Sequence, residues 1–354
     1  MTGAGRSPAL TVTGYAIWAA TGPDGPSCVA AMRAGVSGAA EANLWDSTAG
    51  APLNACRVHA HQWWEGASFL PALLAPVIED CRAAIDALPG GPRGAEVPVL
   101  LAVAPPDRPG RPEALERILR DGLAERLESP LPPGSIVLPA GRCALPQLFA
   151  RAADLASPLA IVAGAESFLR QAIVEAYNRR GRLLSAVNSS GFIAGEAAAA
   201  LIVARGRRPG LVLTGMGLGF ERSRDGGDKD NPVTGEGLTD AMRAALATAG
   251  MPFHDINVLL SDQNGEHFKF KEHALALMRL DRVPPEGRSR RPRGHVEHWN
   301  VVETIGEVGA ALMPAAMGWA WEAGRSGWLP GRVIFTAGED DGRRAAVVGE
   351  WQDE

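Results

Sequence analysis

The chain has 354 residues, 46% hydrophobic and 21% charged, enough to bury one large core or two medium ones, and this composition excludes a disordered chain. A formal net charge of -5 and a pI near 5.9 remove any general attraction to nucleic acid or to an anionic membrane. Cys28, Cys56, Cys81 and Cys143 stand too far apart to form a C-x-x-C pair, which argues against a zinc framework or a disulfide scaffold and fits reduced thiols in the cytosol.

The opening stretch MTGAGRSPALTVTGYAIWAATG has no charged leader and no long apolar run, and no segment approaches the roughly 18 apolar residues of a membrane span. A soluble cytosolic protein is therefore expected. Short apolar strands are predicted at residues 10–17, 97–103, 136–138, 159–162, 197–203, 211–214, 258–260, 333–335 and 345–348. Between them lie helical stretches, the clearest at 71–88, 111–127 and 237–249, the last closed by Gly250. Alternation of this kind predicts an α/β protein with a largely parallel sheet. RGRRPG, residues 205–210, sits between two apolar strands and marks the expected division into an N-terminal half, 1–206, and a C-terminal half, 207–354. Residues 221–231 hold little apolar material and read as a long mobile loop, and the arginines at 288, 290, 291 and 293 as a solvated one.

Three segments carry a family resemblance. SGFIAGEAAAALIVAR (190–205), GEGLTDAMRAALATAGMPFHDINVLLSD (235–262) and ETIGEVGAA (303–311) follow one another in the order and spacing of the GF-x-x-GE-x-A strand and the two histidine-bearing segments of β-ketoacyl synthases, which the chain resembles. Weaker echoes are the A-x-R-A-G-x-S-G pattern at Ala31 to Gly38, LAIVAGAES at 159–167, and the glycine-rich turn and strand at 335–348. The resemblance implies the thiolase-like fold: two similar halves in five αβαβα layers, with a homodimer as the usual assembly.

The catalytic positions of that family are altered. Where its nucleophilic cysteine follows a strand and an alanine, the strand IVLP leads to Ala140-Gly141, so Gly141 stands at the nucleophile position. Its two histidines match Asp262 and Glu307. Ionised carboxylates repel the charge of a decarboxylating malonyl group, so they do not replace imidazole donors. Three roles stay open for them: backbone-capping turn residues, an acid and base couple, or ligands of a divalent ion. Cys143 is the candidate nucleophile if the chain is active. Two residues beyond Gly141, a helix would turn its thiol by roughly 200° from the pocket, so it reads as an ordinary buried thiol.

Other signals are weaker. His267, His273, His295 and His298 match no tetrahedral zinc pattern and read as surface residues, and His59 and His61 beside Trp63 and Trp64 read as part of a contact surface. Trp299 and Trp319 are further candidate interface anchors. GMGLG at 215–219 and GGDKDNPVTGEG at 226–237 fit neither a P-loop nor a dinucleotide fingerprint, so neither a cofactor nor a metal is expected. The favoured function is a non-catalytic partner, scaffold or adaptor. SDQNGEHFKFKEHA also resembles a segment of ketosynthase-like proteins encoded with type VI secretion effectors, which implies a protein partner such as an effector or its adaptor. The alternative is an acyltransferase of the β-ketoacyl synthase type, with acyl carrier protein and acyl thioesters as partners only in that case.

Overall fold

A computed structural model of the protein describes residues 9–59, 67–224, 226–282 and 296–353. His61, Trp63, Trp64, His295 and the arginines at 288, 290, 291 and 293 lie outside the described residues. The N-terminal half runs β1 (Leu10–Trp18), α1 (Gly25–Ala34), β2 (Ala40–Asp46), β3 (Ala51–Cys56), α2 (Leu70–Asp86), β4 (Val99–Ala102), α3 (Leu115–Arg126), β5 (Ile136–Leu138), α4 (Leu145–Asp154), β6 (Leu159–Ser167), α5 (Gln171–Asn178) and β7 (Ala194–Arg205). After the turn at Gly206 follow β8 (Gly210–Phe220), α6 (Glu236–Ala249), β9 (Val258–Ser261), α7 (His267–Asp281), β10 (Glu297–Asn300), α8 (Val302–Ile305), α9 (Leu312–Arg325), β11 (Val333–Gly338) and β12 (Arg343–Gln352).

The halves repeat one another. Strand order is β5-β4-β6-β7-β1 in the first and β10-β9-β11-β12-β8 in the second, and a short antiparallel pairing of Leu10, Thr11 and Val12 with Leu213, Val212 and Leu211 joins them. In both, the first two pairings are parallel and the last two antiparallel. The helices α4 and α9 lie between the sheets, where Leu148, Phe149, Leu312 and Ala316 share one core with Leu201 and Val347. Outside, α2 and α3 cover the first sheet through Leu74, Ile78 and Leu119, and α6 and α7 cover the second through Ala241, Ala245 and Ala276. This is the five-layer α/β arrangement expected for a thiolase-like fold, built twice from one pattern of crossovers.

Sequence-based boundaries shift where proline and glycine act against expectation. The helix expected from residue 111 starts at Leu115, because Pro112 precedes it and Arg111 spends its Nε on the Ala104 carbonyl at 2.8 Å. The predicted strand at 211–214 extends through GMGLG to Phe220. There Gly215, Gly217 and Gly219 face α6, and a Cβ on any of them would strike a helix carbonyl, of Ala245, Ala241 or Gly237. These glycines let the helix sit directly on the strand. The expected loop at 221–231 is anchored at its start, where buried Glu221 accepts from Thr234 N–H at 3.1 Å and Gly237 N–H at 3.2 Å. Trp319 is buried and Trp299 stacks on it with ring centroids 4.9 Å apart, so these two are core-edge residues and not free anchors.

The α6 contact gives a first prediction. Gly217→Ala should lower unfolding stability by about 1–3 kcal/mol through overpacking, read as a lower urea midpoint with an unchanged m-value. An unmoved midpoint would show that α6 does not rest on this stripe.

Candidate functional site

Both central helices begin in the same way. After β5, residues Gly141–Cys143 make one 3-10 turn into α4, and after β10 and α8, Gly309–Ala311 make another into α9. Each turn starts on a glycine in the left-handed region, with φ +56 at Gly141 and +50 at Gly309. Each also receives a carboxylate from the opposite half. Glu339, just past β11, accepts the Arg142 N–H at 3.0 Å, and Glu166, at the end of β6, accepts the Ala310 N–H at 2.9 Å. A Cβ at Gly141 would run into the Glu339 carboxylate, and one at Gly309 into Glu166. Gly141 therefore has no room for a side chain while Glu339 stays in place.

From this turn the fully buried side chain of Arg142 enters the centre of the molecule. Its Nε donates to Glu307 at 2.9 Å, and its Nη1 donates to Glu339 at 2.9 Å and lies 3.5 Å from Asp340. Glu307 further accepts from Asn264 Nδ2 at 2.8 Å and from Gly309 N–H at 3.0 Å. Asp262 accepts from Lys269 Nζ at 2.6 Å and from Gly338 N–H at 2.9 Å. Around this centre, Arg108 reaches Glu339 and Asp340, each at 3.0 Å, while its Nε lies 2.6 Å from Glu166 in an ion pair too bent for a hydrogen bond. Arg182 links Asp340, at 3.1 Å, to Glu266, at 2.6 Å. Arg344 closes the outer side on Glu272 at 2.6 Å. The space left between Lys269, Glu339, Asp340 and Arg344 is a polar cavity of about 10 Å³, room for one water.

Burial disfavours the charged forms of Glu307, Asp262 and Asp340, and at these three the cations decide the outcome. For Glu307 burial pushes the pKa up, but the Arg142 guanidinium and Lys269 more than offset it and hold the group at about 2. Asp262 is likewise held below its ordinary value by Lys269 and His273 despite burial. Asp340 falls well below the carboxylate range because Arg182, Arg142 and Arg108 surround it, again against burial. Glu166, with burial dominant over Arg108, is pushed up.

The structure thus brings Gly141, Asp262 and Glu307 together around Arg142 and Lys269. Of the three readings open for the two acids, backbone capping matches the Gly338 and Gly309 N–H contacts, and each acid also sits in an ion pair that none of the three included. Their oxygens face guanidinium, ammonium, amide and backbone donors, which leaves no vacant oxygen cage for a divalent ion, and among the described residues no group of three His, Cys, Asp or Glu has metal-holding geometry. Cys143 is fully buried, and its thiol lies against backbone carbonyls, 3.3 Å from Arg343 O and 3.5 Å from Ala337 O. Burial, aided by Glu339, pushes its pKa far above that of a free thiol.

His273 is not the surface residue expected. It is buried, with Nδ1 2.9 Å from Lys269 O and Nε2 3.2 Å from Thr336 Oγ1, whereas His267, His298 and His59 are exposed. Arg108, Arg142, Arg182, Lys269, Glu339 and Asp340 escaped the sequence reading. The signal available was the GED run at 338–340, which sets two acids just past the end of β11.

The sequence matches no protein-family model and no curated protein. Solved structures share its fold. A ketosynthase/chain length factor of ishigamide superposes with a TM-score of 0.71 at 16% identity, over 98% of this chain and all of that one. AntDE:AntF, an acyl-carrier protein complex with a type II ketosynthase, gives 0.76 at 12% identity, over 98% of this chain and all of that one. The ketosynthase ApeO with its chain length factor ApeC from Xenorhabdus doucetiae gives 0.72 at 12%, over 99% of this chain and all of that one. The fold is that of ketosynthases and chain length factors.

Removing one partner of a buried ion pair leaves the other uncompensated, so Arg142→Met should cost about 3–5 kcal/mol of unfolding free energy in urea. A change below about 1 kcal/mol, the scale of a surface pair, would contradict the clustering of charge at this residue. Glu307 also predicts an acid limb. Because its pKa is lower folded than unfolded, its stabilisation is complete above the unfolded value of about 4.3 and disappears as pH falls toward 2. Glu307→Gln should flatten the loss of stability between those pH values; an unchanged slope would show that Glu307 is not paired.

Proposed function

We propose that the protein is a catalytically silent, ketosynthase-like adaptor of the cytosol that acts as a homodimer and binds a protein partner, a type VI secretion effector or that effector's own adaptor. The observation that carries this reading is the Arg142 guanidinium between Glu307 and Glu339, with Gly141 beside it. A decarboxylating condensation needs an accessible thiolate, an oxyanion site made of free N–H groups, and donors facing the enolate. Here the Arg142 N–H is already taken by Glu339, and the two positions that the resemblance assigns to imidazoles carry ionised acids.

The secretion-linked segment supports a partner of that class by its resemblance. Within it, Asp262, Asn264, Glu266, Lys269, Glu272 and His273 are buried, while His267, Phe270 and Lys271 face outward and are free for contact. Ketosynthases solved with a chain length factor or a carrier protein show that this fold serves in protein complexes elsewhere, which favours a partner role over an isolated one. The alternative acyltransferase would need Cys143 as its thiolate, and the burial and raised pKa of that thiol oppose this.

Incubation of the purified protein with malonyl- and acyl-thioesters should leave its intact mass unchanged, and iodoacetamide should modify Cys143 only after unfolding. An acyl adduct on Cys143 in the native protein would overturn the reading. Co-expression with a type VI secretion effector should give a stoichiometric complex on a sizing column, and separate elution would remove the adaptor role.

A further inference from the structure

The hairpin of β2 and β3 rests on α5, and its side chains alternate between two faces. Leu44 and Leu53 share a core with Phe168, Ile173 and Tyr177, whereas Glu41, Asn43, Trp45, Pro52 and Asn54 are exposed on the other face. Trp45, paired across the hairpin with Pro52, is 51% exposed. A single exposed apolar side chain is common on protein surfaces. What sets Trp45 apart is how firmly it is held. Gln171 Oε1 accepts the Trp45 N–H at 3.0 Å, and Gln171 Nε2 donates to the Trp45 carbonyl at 2.9 Å, so one side-chain amide takes the place of a neighbouring strand. At the next position, buried Asp46 accepts from Thr48 N–H at 2.8 Å, Ala49 N–H at 3.1 Å and Asn178 Nδ2 at 2.6 Å. Two side chains of α5 thus fix the end of the hairpin from which the indole projects.

The surroundings are acidic. Gln171 Nε2 also donates to Glu175 Oε1 at 3.3 Å, which sets an exposed carboxylate beside the Trp45 backbone, and Glu41 lies on the same face of the hairpin. Neither the hairpin nor α5 contains a lysine or an arginine. Arg170, just before α5, is turned to the Gly110 carbonyl at 3.2 Å, and Arg179 follows its far end. Elsewhere in this chain arginines cover indoles: Arg33 lies 4.5 Å from the centre of the Trp328 ring and Arg325 5.7 Å from that of Trp321. Among the described residues no cation covers Trp45.

We propose that the Trp45 face of the β2–β3 hairpin is the docking surface for the protein partner, which lays an arginine on the exposed indole and pairs it with Glu175. An indole held in place loses little freedom on binding, and tryptophan is among the residues that dominate interface energetics. A guanidinium fits both neighbours, because it stacks on an aromatic face while its edge donates to a carboxylate; an ammonium does the second well and the first less well. This placement rests on the partner-binding role proposed above and adds the surface and the chemistry of the contact.

The probe is fluorescein-labelled hexa-arginine, with hexalysine in parallel, titrated into the full chain at about 150 mM salt and followed by anisotropy. Hexa-arginine should bind about two- to fivefold tighter than hexalysine. Trp45→Ala and Glu175→Gln should each weaken hexa-arginine by about two- to fivefold, the scale of one exposed cation–π or ion-pair contact, with melting temperatures near that of the parent. Asp240→Asn, at an exposed acid of α6, should leave the affinity unchanged. Equal affinity in Trp45→Ala, or equal binding of the two peptides, would overturn the proposal. In the co-expression with a type VI secretion effector, Trp45→Ala should release the effector. A complex untouched by Trp45→Ala would overturn this surface and leave the adaptor role standing, whereas no complex with the parent chain would count against the adaptor role, and the peptide titration would then decide the surface.

Discussion

Everything at the centre of this protein depends on a guanidinium placed where it has no water. An isolated buried ion costs several kcal/mol even after relaxation, so Arg142 persists there only because Glu307 and Glu339 hold it and are in turn held. Asn264 and Gly309 complete Glu307, while Arg108 and Arg182 draw in Asp340. The cluster spans both halves of the chain, and each half contributes one strand-end glutamate to the other's central turn. The repeated topology is what makes this exchange possible. Two copies of one layer pattern, packed on a shared helical layer, point the ends of β6 and β11 at the opposing turns.

Such a centre bears directly on function. The fold offers a pocket where strand ends and helix starts converge, the usual place for chemistry in an α/β protein. In this chain the same convergence is occupied by charge compensation, with space for about one water between Lys269 and Asp340. Buried ion pairs are weak evidence for net stabilisation, since an apolar filling is often as stable or more so. Their contacts tie the loop before α7 to the β11–β12 hairpin, through Arg182 between Glu266 and Asp340 and through the Gly338 N–H on Asp262.

Much of this was legible in the sequence, for identifiable reasons. Apolar runs bounded by glycine located nine strands, and Gly250 ended α6 in the left-handed conformation that a glycine cap predicts. The motifs at 190–205, 235–262 and 303–311 pointed to the fold through their resemblance to β-ketoacyl synthases. The short strands β2 and β3 were missed because AEANLWD and APLNAC carry only intermittent apolar residues and pair largely with each other. The expected strand at 211–214 stopped short of GMGLG because glycine propensity gives no hint of a helix lying on it. Asp262 and Glu307 were found by register, but Arg142 was not. Nothing in A-G-R-C indicates that the arginine turns inward, because that direction is set by carboxylates nearly two hundred residues away in sequence.

The central claim is that Arg142, not an acyl group, occupies this convergence. A crystal structure grown with a non-hydrolysable acyl-thioester analogue tests it most directly. The account predicts continuous density from Arg142 to both Glu307 and Glu339, with Cys143 against the Ala337 carbonyl and no analogue between them. Arg142 swung outward, with the analogue seated beside Cys143, would contradict it.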